Sequence, residues 1–199
     1  MNKTLIYETF KPQIQSKYEP TVIQRNDTAK TFSPQDPLTK PPKILIVIPA
    51  HNEEKNIGAV LKGIQKQSPG FPILVINDGS SDNTEKVALE HNAEVISLPY
   101  NSGYGIALQT GFLYAVKNDF SIVVQMDSDG QHDPADIKDL IEAVVKENCD
   151  VVIGSRFLSK DSYKSSLARH AGMLLFGGIA SLLCGQKVTD PTSGFQALK

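Results

Sequence analysis

Two aspartates one residue apart, Asp127 and Asp129, carry the sharpest chemical signal in the chain. They follow the apolar run Ser121-Ile122-Val123-Val124-Gln125-Met126, which places them just past a strand with both faces buried. Carboxylates at that spacing can reach one hard divalent cation, directly or through water. Mg2+ and Mn2+ prefer such oxygen ligands and complete their shell with water and phosphate. A cation there would bridge a diphosphate and stabilise the charge growing on it as a leaving group departs. Taken alone, Asp-Ser-Asp-Gly also reads as an ordinary polar turn.

Its company decides between those readings. Pro49-Ala50-His51-Asn52-Glu53-Glu54, Asn77-Asp78-Gly79-Ser80-Ser81-Asp82 and Gly154-Ser155-Arg156-Phe157 each follow an apolar run of strand length. Ligands of open α/β sheets collect at the carboxyl ends of strands, so four polar clusters on one edge point to a site. Asn101-Ser102-Gly103-Tyr104-Gly105 precedes a helix, where a glycine-rich turn either cradles an anion or simply turns. Of the four histidines, His132 adjoins the aspartate pair and His51 the first cluster, while His91 and His170 read as surface residues. No His/Cys cluster has zinc spacing.

The elements that must position these residues follow from periodicity. Lys43-Ile44-Leu45-Ile46-Val47-Ile48-Pro49 and Pro72-Ile73-Leu74-Val75-Ile76-Asn77-Asp78 are continuous apolar runs, as in parallel strands covered on both faces. Ala93–Leu98 and Asp150–Ser155 read as further strands. Ile57, Val60, Leu61 and Ile64 recur at helical spacing, and Asp82–Glu85 resembles a capping box opening a second helix. A third helix places Leu108, Phe112, Ala115 and Val116 on one face, with Gly111 permitting close approach. In a fourth, Asp133-Pro134 supplies N-cap and N1, and Ile137, Leu140, Ile141, Val144 and Val145 form the buried stripe. Alternating strands and helices of these lengths predict one α/β domain over residues 43–199 with a mostly parallel sheet. Residues 1–42, rich in proline, read as a mobile arm or linker with a short helix near Leu5–Phe10.

Composition narrows the class. The 199 residues suffice for one well-packed domain, and a net charge of -2 lacks the basic surplus of a nucleic-acid binder. Cys149 and Cys184 have neither metal nor redox spacing and read as buried thiols in a reducing compartment. The N-terminus lacks the apolar core of a secretory signal, and no apolar run approaches the roughly 20 residues that span a bilayer. These features place the protein in the cytoplasm. Lys160, Lys164, Arg169 and His170, followed by the apolar stretch Ala171–Cys184, read either as a helix on the cytoplasmic face of a membrane or as a core helix with ordinary surface charge.

The strings VIPAHNEEKNI, VINDGSSDNT, NSGYGIALQTGF, VVQMDSDGQHDP, VIGSRF and TDPTSGFQAL resemble, in order, the successive motifs of glycosyltransferase family two. Within it they are most similar to the dolichol-phosphate mannosyltransferase and polyprenyl-phosphate glycosyltransferase branch. The resemblance covers Lys43 to the C-terminus. It implies the GT-A fold, a nucleoside-diphosphate-sugar donor and inverting transfer supported by Mg2+ or Mn2+. By motif position, Pro49, Ala50, Asn52 and Glu53 would line the nucleoside pocket. Asp78 would contact base or ribose, with capping of a polar turn as its alternative. Asp127, Asp129 and Gln131 would form the metal and diphosphate group, with Asp127 and Ser128 also on the donor nucleotide.

Arg156 would face phosphate, for which its planar fork of donors is suited; a surface salt bridge is the alternative. Asp190, within Thr189-Asp190-Pro191-Thr192-Ser193-Gly194-Phe195, stands on the acceptor side by resemblance. It reads either as a general base for a sugar hydroxyl or as an organiser of its loop, since a lipid phosphate is already anionic and nucleophilic. The implied acceptor is a polyprenyl phosphate, with a saccharide hydroxyl as alternative and a membrane contact or membrane partner protein as company. Nucleotidyl transfer is disfavoured, because His51-Asn52-Glu53-Glu54 stands where a glycine- and lysine-rich loop would be needed. A non-catalytic sugar-nucleotide binder stays open, since the chain stops at Lys199, short of the further acceptor-side structure that the resemblance implies.

Overall fold

The computed structural model describes residues 8–9, 41–146, 150–154, 178, 182 and 193–199. A seven-stranded sheet runs in the order β1-β6-β7-β5-β2-β3-β4. The strands are β1 Glu8–Thr9, β2 Ile44–Ala50, β3 Ile73–Asn77, β4 Glu94–Ser97, β5 Ile122–Gln125, β6 Val151–Ile153 and β7 Gln196–Leu198. β2, β3, β4 and β5 are mutually parallel. β7 lies antiparallel between β5 and β6, so β6 points the same way as the parallel set. This is the mostly parallel α/β architecture expected. Glu8–Thr9, where a short helix was expected, instead pairs antiparallel with β6. A backbone that finds a sheet edge satisfies its donors and acceptors there without needing helical periodicity.

The unbroken apolar runs have the expected cause. Side chains of β2 alternate between faces. Ile44, Ile46 and Ile48 join a core with Ile57, Leu61 and Ile64 of α1 (Ile57–Gln67) and Ile137, Leu140 and Val144 of α4 (Ile137–Lys146). α2 (Thr84–Glu90) adds Ala88 to that layer. Leu45 and Val47 face the other way, with Leu74 and Ile76, against α3 (Tyr104–Lys117).

α3 departs from its expected stripe. Ala107, Gly111 and Ala115 are the buried positions, Leu108 and Phe112 are half-buried, and Val116 is 76% exposed. Small residues every fourth position let the helix axis approach the sheet: a Cβ on Gly111 would lie 2.4 Å from Cγ1 of Val47. In α4 the buried set is Ile137, Leu140, Ala143 and Val144, with Val145 42% exposed rather than buried. Asp133 accepts from the backbone N–H of Ala135 and Pro134 opens a 3-10 turn over Pro134–Asp136, so that start is built as expected. At α2 the helix begins where expected, but the carboxylate of Asp82 accepts from Thr84 rather than from Glu85, and the N-cap is Asn83.

Candidate active site

The carboxyl ends of β2, β3 and β5 open into one cleft of about 450 Å³. Pro49, Ala50, His51 and Glu53 line it from the end of β2, and Asp78 from the end of β3. Asp127, Ser128 and Asp129 line it from the end of β5, with Asn101, Tyr104, Ala107 and Gly194 completing the wall. Of the residues given site roles by the resemblance, seven therefore meet there: Pro49, Ala50, Glu53, Asp78, Asp127, Ser128 and Asp129. Arg156 and Asp190 lie outside the described residues, as do Cys149, Cys184 and the basic segment ending at His170.

Asn52 is not part of the cleft wall. It adopts a positive φ of 56°. Its Oδ1 accepts from the N–H and hydroxyl of Ser81, at 2.8 and 3.2 Å, while its own N–H donates to Ser80 Oγ at 3.0 Å. Glu54 takes the N–H and side-chain amide of Asn83 at 3.0 Å each, and its N–H donates to Asp82 at 3.1 Å. Glu53 N–H donates to Thr84 Oγ1 at 2.8 Å. Together these bonds fasten the loop after β2 to the loop after β3.

Asp78 is 4% exposed and grips a third loop. One carboxylate oxygen accepts from Ser102 N–H at 2.7 Å and the other from Gly103 N–H at 2.9 Å. The carbonyl oxygen of Asp78 lies 2.7 Å from His51 Nδ1. A carbonyl only accepts, so Nδ1 carries the proton and Nε2 accepts from the Asn52 amide at 3.1 Å. Gly79, with φ of 61°, fits beneath Tyr100, where a Cβ would lie 2.3 Å from a backbone carbon.

Asp127 is held more closely than Asp129. Tyr104 hydroxyl donates to Asp127 Oδ1 at 2.8 Å, and His132 Nε2 stands 3.7 Å from Oδ2. Gly194 seats directly on the carboxylate, where a Cβ would come within 2.2 Å of both oxygens. Burial and the negative charge of Asp127 push the Tyr104 phenol well above its ordinary range, so it stays a neutral donor. Asp129 is exposed and turns back to accept from Gln131 N–H at 2.9 Å, with Gly130 at a φ of 75°. Gln131 is exposed and does not line the cleft. His132 is 8% exposed and stacks on Phe195 with ring centroids 5.0 Å apart. The stacking was not anticipated, because Phe195 is distant in sequence, whereas the nearness of His132 to the aspartate pair was.

Among the described residues no three His, Cys, Asp or Glu side chains form a metal cage. A hard cation bridging to a diphosphate needs only one or two carboxylates, and the exposed Asp129 beside Asp127 fits that donor set. Among the described residues no helix is long and apolar enough to cross a membrane.

The chain has counterparts among known proteins. The family described as Glycosyl transferase family 2 matches residues 45–199. The chain is 34% identical over 172 residues to the UDP-N-acetylglucosamine–dolichyl-phosphate N-acetylglucosaminyltransferase of Methanococcus voltae, covering 77% of this chain and 68% of that protein. It is 29% identical over 174 residues to the polyprenol monophosphomannose synthase of Mycolicibacterium smegmatis, covering 83% and 65%. Among solved structures it resembles glucosyl-3-phosphoglycerate synthase from Mycobacterium tuberculosis in complex with Mn2+ and uridine-diphosphate-glucose. That likeness has a TM-score of 0.60 at 25% identity, over 79% of this chain and 56% of that one. The chain thus spans about two thirds of the length of these curated relatives.

Proposed function

The chain belongs to glycosyl transferase family 2, with the GT-A architecture, and on that premise we propose that it transfers a sugar from a nucleoside-diphosphate donor to a polyprenyl phosphate. The observation that carries the reading is the single cleft in which Asp127, Ser128 and Asp129 face Pro49, Ala50, Glu53 and Asp78. The printed names of the relatives support the lipid-phosphate acceptor, and the Mn2+ and uridine-diphosphate-glucose of the solved relative support the donor class.

In this reading Pro49, Ala50, Glu53 and Asp78 wall the nucleoside. Asp127 and Asp129 would hold Mg2+ or Mn2+, with Gln131 next to them in sequence but outside the cleft wall. Such a cation, when bound, would supply Lewis acidity that stabilises negative charge on a leaving diphosphate. Arg156 adds a planar fork of donors toward phosphate. An oxygen of the lipid phosphate attacks the anomeric carbon, the bond from that carbon to the diphosphate oxygen breaks, and the configuration inverts. The attacking phosphate is already ionised, so no side chain has to take a proton. Asp190 would then serve the acceptor side without acting as a general base. The protein's own contribution is orientation and fixed charge, to which the stapled loops after β2 and β3 are suited. In this reading the reaction occurs at the cytoplasmic face of a membrane, where a polyprenyl phosphate would be met.

Mass spectrometry of products from the full chain, Mn2+, mixed nucleotide sugars and either polyprenyl phosphate or free saccharides tests the acceptor. A glycosyl polyprenyl phosphate is expected by mass, and inverted anomeric configuration by NMR of the isolated product. Transfer to saccharide hydroxyls alone would replace the lipid with that acceptor and return Asp190 to a general-base role.

A further inference from the structure

Tyr104 holds a place in the cleft that the reaction as described does not use. It is the first residue of α3, and what comes before it is fixed: Asp78 grips the N–H groups of Ser102 and Gly103, the second at a φ of 93°. The phenol ring lines the cleft, and its hydroxyl sits 2.8 Å from Asp127 Oδ1 and 2.9 Å from Gln125 Nε2. The direction of the proton follows from Gln125. That side chain is 4% exposed, and its Nε2 also reaches the carbonyl of Gly194 at 3.2 Å. A carbonyl can only accept, so the amide nitrogen faces Gly194 and donates to both oxygens. The Tyr104 hydroxyl accepts from Gln125, and its single proton is therefore directed at Asp127.

From this geometry we infer that Tyr104 is a positioning residue, whose hydroxyl, itself fixed by Gln125, sets the plane in which Asp127 presents its carboxylate to a metal–diphosphate donor. The inference rests on the proposed donor site. An aspartate's terminal torsion is broad and roughly two-fold, so each bond to the carboxylate narrows the orientations it samples. A neutral hydroxyl suits the task better than a cation would, since it anchors one oxygen without cancelling the charge that a divalent cation needs. Hydrogen-bond partners that orient metal ligands typically contribute 10–100-fold in metal affinity. One bonded path then joins the end of β3, the start of α3, the end of β5 and the loop before β7.

Isothermal titration of the full chain with Mn2+, at saturating UDP or GDP, tests the inference in wild type, Tyr104→Phe, Asp129→Ala and Asp127→Asn. Phenylalanine keeps the ring in the cleft wall, and an unchanged thermal melt verifies the fold. Tyr104→Phe is expected to weaken Mn2+ binding about tenfold, and less than twofold when added to Asp127→Asn, because its effect passes through that carboxylate. Where Asp127→Asn leaves no measurable binding, the loss in Tyr104→Phe alone decides. Tighter binding, binding within twofold of wild type, or an equal loss in the Asp127→Asn background overturns the inference while leaving the donor site standing. Wild type without Mn2+-dependent nucleotide binding, or Asp129→Ala binding as wild type does, overturns the donor-site reading and the inference with it.

Discussion

Gly194→Ala adds one methyl group at the place with least room for it. Its Cβ would lie 2.0 Å from Asp127 Oδ2, 2.2 Å from Oδ1 and 2.3 Å from Cγ, where real contacts exceed 3 Å. Two relaxations are open. Asp127 can rotate away, giving up the 2.8 Å bond from Tyr104 and the approach of His132. Alternatively residues 193–195 can shift, straining the 2.7 Å bond from Ser193 Oγ to Gly154 O and the 3.2 Å bond from Gln125 to Gly194 O. A lost hydrogen bond to a charged group costs about 1.5–3 kcal/mol, and overpacking by a methylene about 1–3 kcal/mol. Because either route relieves the clash, the costs are alternatives, and a loss of about 1–3 kcal/mol is expected. At this chain length each kcal/mol lowers the melting temperature by about 2–4 °C. Urea unfolding gives the stability, and titration with Mn2+ and nucleotide should show weakened binding even well below the melting temperature. A variant within about 0.5 kcal/mol of wild type that binds normally would refute the reasoning, since 0.5 kcal/mol is the spread of ordinary surface changes.

Three further outcomes follow from the packing and loop contacts. Gly111→Ala should lose about 1–3 kcal/mol in urea unfolding, because its Cβ meets Val47 at 2.4 Å, and the double variant with Val47→Ala should lose less than the sum of the two single losses. Asp78→Asn puts an amide donor against Ser102 or Gly103 N–H. A loss of about 1.5–3 kcal/mol and faster amide hydrogen exchange at those two positions are expected. Asn52→Ala removes the acceptor for both groups of Ser81 and leaves an alanine at a positive φ of 56°, so thermal melting should fall even though the residue does not line the cleft.

Most of the fold was legible where apolar periodicity alone decides placement. Ile57, Val60, Leu61 and Ile64 are buried together as their spacing implied. α3 was read less well, because hydropathy favours large residues while its contact is made by Ala107, Gly111 and Ala115, chosen for smallness against Val47. β7 is three residues long and paired with strands distant in sequence, so no local pattern marks it. Within the cleft, strand-end position located Asp78 and Asp127 but not their partners. The grip of Asp78 on residues 102–103, the stacking of His132 on Phe195 and the clamp of Gln125 on Tyr104 are long-range bonds that only folding reveals.

The most direct test of a cation-dependent sugar transfer at Asp127-Ser128-Asp129 is donor-dependent release of nucleoside diphosphate by the full chain. Wild type with Mn2+, a nucleotide sugar and polyprenyl phosphate should release it. Asp129→Ala, melting as wild type does, should release almost none. Equal turnover by the two proteins would contradict the assignment of the aspartate pair, and nucleotide binding without turnover on any acceptor would make the cleft a binding site only.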